Sequence, residues 1–194
     1  MENANKNRIS TKKLVLCAML TALVVILQMM GAFIRLGPFQ IALVLVPIVI
    51  GAATCGVGMT AWLGLVFGAV VLLNGDAAAF LTVNVLGTVA TVLLKGVACA
   101  VAAALVYKLL ARFNRYLAVI VAAVVCPIVN TGVFLLGCAV FFLDTITAWG
   151  IAEGYNGVAA YMFLGLVGGN FLVELASNVI LSPVILRLLN IRRA

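Results

Sequence analysis

Histidine is missing from this chain altogether, and with it the side chain most often used as a general base or metal ligand near neutral pH. Acids are scarce as well: Asp and Glu together number 5 in 194 residues, against 12 Lys and Arg. They are too few and too scattered to serve as a catalytic pair or a metal cluster, so an enzyme reading fails for want of a nucleophile with its base. There is no G-x-x-x-x-G-K-[ST], which excludes ATP binding in a P-loop by this chain alone. There is no C-x-x-C either. The five cysteines (Cys17, Cys55, Cys99, Cys126, Cys138) are dispersed and read as small, polarizable packing residues in a reduced protein. Nothing calls for a metal or a cofactor.

Charge itself is rare, at 9% of residues, while 66% are hydrophobic and the mean hydropathy is +1.33. Soluble domains carry about a quarter charged residues. The apolar stretches recur to the C-terminus, which also excludes a lone signal peptide. What remains is an all-α integral membrane protein, because a chain in lipid must satisfy its backbone within each helix.

The spans are found by marking the charges and reading between them, since a crossing needs about 20 mostly apolar residues. Residues 36–75 are uncharged for 40 positions, about 60 Å as helix and hence two crossings. Pro47, Gly51 and the small, polar run 54–58 break that stretch. The result is a single membrane domain over 1–194, a six-transmembrane-helix bundle with spans near 11–34, 40–53, 57–73, 84–108, 117–143 and 158–189. The second span is short, with Pro38 and Pro47 limiting its helical reach.

Ten of the 12 basic residues lie in the N-terminal tail (Lys6, Arg8, Lys12, Lys13), the connection between spans 4 and 5 (Lys108, Arg112, Arg115) and the C-terminus (Arg187, Arg192, Arg193). Six crossings bring all three clusters to one face. The positive-inside rule makes that face, and both termini, cytoplasmic. The net charge of +7 is thus a topology signal and not a nucleic-acid footprint, for no basic domain stands behind it.

Two charges fall deep inside spans, Lys95 and Glu174, and ionisable groups at such depth point to function. Lys95 precedes Lys108 by 13 residues and Glu174 precedes Arg187 by 13, so both sit about 20 Å above the basic face. Asn130 lies at a similar height. Asn170, Glu174 and Asn178 step by four along one helix face. Asn84 heads span 4 on the outer side and Gln40 opens span 2. Facing Asn130, Asn170 and Glu174 inward builds a polar chamber under the outer loops, and its candidate substrate-binding residues are Lys95, Glu174, Asn130, Asn170, Asn84 and Gln40. The plainer reading is an ion pair with interhelical hydrogen bonds, and a proton relay is a third. Asp76 follows the turn signal Asn74-Gly75 and reads as a solvated loop acid. Trp62, Trp149, Tyr107, Tyr116, Tyr155 and Tyr161 read chiefly as interfacial belt residues, with Trp149, Tyr155 and Tyr161 able instead to cap a ligand.

Small residues recur at four-residue spacing: Ala18 and Ala22 in span 1; Thr60, Gly64 and Gly68 in span 3; Ala100 and Ala104 in span 4; Gly165 and Gly169 in span 6. Such stripes let helices approach closely in lipid. Those of spans 3, 4 and 6 read as packing within the bundle, while the span 1 stripe, near the basic end, reads either as ordinary packing or as a face able to receive another protein's helix.

Taken together, these features resemble the S-components, the substrate-binding subunits of energy-coupling factor (ECF) vitamin transporters. The resemblance rests on the basic tail leading into Lys13-Leu-Val-Leu-Cys-Ala-Met-Leu-Thr-Ala22, on Gly37-Pro38 in the first outer loop, on Gly56 and Gly58 before Trp62-Leu-Gly64-Leu-Val-Phe-Gly68, and on Asn130-Thr131-Gly132. The usual Gly-Pro between spans 2 and 3 is Gly56-Val57 here. The resemblance implies a multi-pass protein of the bacterial plasma membrane that captures a water-soluble vitamin or related micronutrient from outside. It implies a site among the outer halves of spans 4, 5 and 6. It also implies a transmembrane coupling subunit, docked on Ala18 and Ala22, and two ATPase subunits that supply the energy. Lys95 favours a carboxylate-bearing, pantothenate-like substrate. The alternative is a self-sufficient secondary carrier or channel, which needs no ATPase.

Overall fold

The computed structural model describes residues 11–31, 35–36, 39–40 and 43–191, with side chains described over 11–31 and 43–187. Gly37-Pro38 and the basic residues at 6, 8, 192 and 193 lie outside it. The elements run α1 (Thr11–Gly31), β1 (Arg35–Leu36), β2 (Phe39–Gln40), α2 (Leu45–Thr54), α3 (Val57–Leu73), α4 (Ala78–Leu81), α5 (Val85–Leu110), α6 (Arg115–Phe141), α7 (Leu143–Ala152), α8 (Val158–Ala160), a π-helical segment Tyr161–Val167, and α9 (Gly168–Ile191). The strands form a small antiparallel hairpin, Arg35 opposite Gln40. Helices α1, α5 and α6 and the continuous helical stretch Val158–Arg187 are each long and apolar enough to cross a membrane.

α1 buries Cys17, Leu20, Val24, Gln28 and Gly31, a stripe at three- and four-residue intervals, and turns Val15, Met19, Ile26 and Met29 outward. Exposed apolar faces of this kind recur on α5, α6 and α9, as a lipid-facing surface requires. α2 differs. It has only 10 residues, about 15 Å or half a bilayer core. Its Leu45, Ile48 and Val49 are fully buried, so it is an interior helix held by protein. Pro47 sits in its first turn, where the missing N–H costs nothing. The chain then reverses at Gly56, whose φ of +91° suits a residue without Cβ and opens α3 directly at Val57.

The centre of the bundle is the α3–α5 seam. A Cβ at Gly64 would collide with the Gly96 carbonyl, and a Cβ at Gly96 with the Gly64 carbonyl. The two backbones therefore touch, with Ala100 and Ala104 buried further along α5. α5 packs on its other side along α6, which starts behind Asn114, whose side chain accepts from the Tyr116 and Leu117 amides. Pro127 interrupts the α6 ladder one turn before Asn130.

Helix α7 occupies much of the connection between the fifth and sixth predicted spans. It begins directly after Phe142 and buries Ile146 against Phe80, Phe142, Tyr161 and Leu166. The following helix opens as a wide π-helical stretch. Gly165 lies under the Tyr161 ring, where a Cβ would meet the ring at 2.5 Å, and Gly168 leaves the stretch at φ +25°. π-helical turns of this kind gather at functional sites.

Candidate ligand-binding site

A partly enclosed cavity of about 100 Å³ lies between α1, α3, α5, α6 and the start of α9. One buried water needs on the order of 10–15 Å³ measured this way, so several waters or a compact ligand fit. The cavity lies at one end of the bundle, among the C-terminal halves of α1, α3 and α6 and the N-terminal parts of α5 and α9.

Four of the residues singled out in the sequence line it: Lys95, Asn130, Asn170 and Glu174. Lys95 follows Thr88 and Thr91 along one face of α5, and the α3–α5 seam at Gly96 holds its Cα close to α3. Its ammonium lies between two rings, 5.7 Å from the centre of Phe67 and 5.2 Å from that of Phe134. Ring faces attract a cation more strongly where water is excluded. Glu174, almost fully buried on α9, and Asp76 are the carboxylates that line the cavity with Lys95. The Oδ1 atoms of Asn130 and Asn170 and the Thr91 hydroxyl are buried, with no hydrogen-bond partner among the described residues. Buried polar atoms normally have partners, so three such atoms around one cavity are open positions for a bound molecule or ordered water.

Asn84 stands apart from this group. It caps α5, its Oδ1 accepting from the Gly87 amide at 2.9 Å, the role expected of an Asn just before an apolar helix. Gln40 pairs through its backbone with Arg35, and its side chain lies outside the described residues. Asn178 continues the polar face of α9 below the cavity, buried with neither side-chain atom partnered among the described residues.

Asp76 is not the solvated loop acid that its turn position suggests. Its Oδ2 accepts from Gln28 Nε2 and from Asn74 Nδ2, each at 2.8 Å, and it lines the cavity. The turn at Gly75, with φ +86°, folds the carboxylate back over the end of α1. Gln28 carried a signal, being a lone amide deep in an apolar span. Thr88 and Thr91 carried another, through their spacing with Lys95. The aromatic contributors Phe67, Phe80, Phe134, Phe142 and Phe171 carried none, because a Phe facing lipid and a Phe facing a cavity look alike in sequence.

The connection after α6 packs over the cavity end of the bundle. Phe80 packs edge-on against Phe134, Phe142 and Trp149 at 5.7, 5.1 and 5.5 Å. Tyr161 is buried, meets Tyr155 at 5.2 Å and donates its hydroxyl to Glu153 Oε1 at 3.2 Å. Trp149, Tyr155 and Tyr161 thus pack on protein, whereas Trp62 and Tyr116 stay exposed as belt residues do. All five cysteines are free and buried, and no cluster of three metal-ligating side chains occurs among the described residues.

The chain matches no curated protein and no solved structure. A family model does match, over residues 12–186, and its family is described as ECF transporter, substrate-specific component. The match takes in every helix that lines the cavity and the apolar surface around it. Members of that family are membrane-embedded, substrate-binding subunits of a transporter, not enzymes, and they work with the coupling and ATPase subunits of an ECF module. The chain belongs to the substrate-specific components of ECF transporters.

Proposed function

We propose that this chain captures a water-soluble vitamin or related micronutrient from outside a bacterial plasma membrane and presents it for ATP-driven uptake by its partner subunits. The observation that carries this reading is the cavity, with an ammonium held between two rings and three open polar positions around it. Six crossings with both termini cytoplasmic is the topology that goes with it. In support, Lys13 of α1, Val57 of α3, Lys108 of α5, Arg115 of α6 and Leu186 of α9 line one cleft at the end of the bundle away from the cavity. With the basic end inside, the cavity opens outward.

The ligand class follows from the donors and acceptors. Lys95 meets a carboxylate. Asn130, Asn170 and Thr91 meet hydroxyl and amide groups, since a carboxamide offers a donor and an acceptor whichever way it is turned. A pantothenate-like molecule carries all three kinds of group. Glu174 and Asp76 share the chamber with Lys95, so the ammonium alone cannot supply the affinity and the neutral hydrogen bonds must contribute.

Native mass spectrometry of the gently purified protein tests the reading through the mass of a retained small molecule. Titration with pantothenate and with its alcohol analogue then isolates the carboxylate, and tighter binding of the acid by at least tenfold is expected. Equal binding of the two would remove the Lys95–carboxylate assignment. Solute accumulation by proteoliposomes holding this chain alone would remove the ATP-dependent function.

A further inference from the structure

A second and larger cleft, of about 710 Å³, lies at the basic end of the bundle, and nothing in the capture of a vitamin uses it. Its cations are Lys13 from α1, Lys108 from the end of α5 and Arg115 from the start of α6. No carboxylate lines it among the described residues. Gly56 and Val57, at the N-terminus of the 17-residue α3, face into it, and that helix start has no side-chain cap. Its uncapped backbone N–H groups add partial positive charge to that of the side chains. Tyr107 and Tyr116 stand beside Lys108 and Arg115, at the depth where aromatic residues meet lipid headgroups. Ala52, Ala53, Ala104 and Leu186 give the cleft apolar walls.

We propose that this cleft is a binding site for the phosphate headgroup of an anionic lipid of the cytoplasmic leaflet. Three cations with no carboxylate among the described lining residues repel one another, and an anion relieves that repulsion. A lipid fits better than a soluble anion because the same cleft joins cationic positions to apolar walls at the membrane surface, where basic pockets between helices take anionic headgroups. An acidic protein segment would satisfy the charge but not the apolar walls at headgroup depth.

The test uses the full chain in detergent, with phosphatidylglycerol and phosphatidylcholine of the same acyl chains as probes and native mass spectrometry as the readout. The wild type is expected to retain one phosphatidylglycerol at least tenfold in preference to phosphatidylcholine. Each cation near a membrane surface is worth roughly fivefold, so Lys108→Ala with Arg115→Ala should lower the preference on the order of twentyfold. Lys12→Ala with Arg112→Ala, which removes two cations outside the cleft, should leave it intact. Melting temperatures of the two double variants within a few degrees of wild type show that folding is not the cause. Equal retention of both lipids, or equal loss of preference in the two double variants, overturns the proposal. Displacement of the lipid by millimolar inorganic phosphate also overturns it, by assigning the cleft to a free anion. So does binding of an acidic peptide with no lipid preference.

Discussion

Lys95 and Glu174 illustrate what one residue can decide in this protein. Glu174 is almost fully buried and shares its cavity with the half-buried Lys95, and removing one member of a charge pair so placed strands the other, typically at about 3–5 kcal/mol, whereas replacing both by apolar groups is often neutral. Lys95→Met and Glu174→Met should therefore each lower the melting temperature markedly, and the double variant should recover most of that loss. Ligand retention should stay at least tenfold weakened in all three. Thermal unfolding and native mass spectrometry, run on the same samples, separate the two effects; full recovery of retention in the double variant would reduce the pair to scaffolding. Asp76 supports a second prediction. Asp76→Ala leaves the almost fully buried Gln28 amide without its carboxylate. The cost should be about 1–3 kcal/mol, read as a fall of a few degrees in the unfolding midpoint. That Lys95 and Glu174 come to one level of the bundle was legible from their equal distances to the basic residues of their helices. The partnership of Gln28 with Asp76 was not, because 48 positions separate them and only the assembled fold brings them together.

At the scale of the helix, glycines in α3 fall into two physical classes. A Cβ at Gly64 would strike the Gly96 backbone, which cannot yield as a flexible side chain can, while a Cβ at Gly58 would meet nothing within 4 Å. Gly58→Ala should thus be neutral or stabilising by up to about 1 kcal/mol, the gain from a stiffer helix residue. Gly64→Ala should be destabilising by about 1–3 kcal/mol, as overpacking is. Unfolding midpoints of opposite sign in the two variants are the expected result, and equal midpoints would contradict the backbone contact. Sequence periodicity marked Gly64 and Gly68 as packing positions but could not separate them from Gly58. The bounds of α3 were legible because Gly56 and the polar Asn74-Gly75 turn punctuate an otherwise apolar run. Helix α7 was hidden because Asp144, Thr145, Thr147 and Gly150 resemble loop composition. Its helicity comes from burying Ile146 against Phe80 and Phe142, a tertiary contact that local propensity does not contain.

For the whole molecule, the broad class was legible from charge placement alone, because lipid allows so few solutions for a chain of this composition. The outer surface then bears on assembly. Ala18 and Ala22 are both exposed, on the face of α1 turned away from the buried stripe of Cys17, Leu20 and Val24. That face is smooth, apolar and free of polar groups that would fix a partner by hydrogen bonds, so a partner helix must be held by close packing. Ala18→Trp and Ala22→Trp should each abolish co-purification with the coupling and ATPase subunits while leaving small-molecule retention unchanged. Co-purification that survives both substitutions would place docking elsewhere.

The contact between Gly64 and Gly96 also constrains how cargo gets in and out. Two main chains in direct touch form a keel with no side chains to swing aside and no slack to stretch. The wall made by α3 and α5, with Lys95 and Phe67 on it, is therefore expected to behave as one body. An opening for a solute is expected instead at the other wall, where the wide-turned Tyr161–Val167 stretch holds Gly165 and runs directly into Gly168 and Gly169.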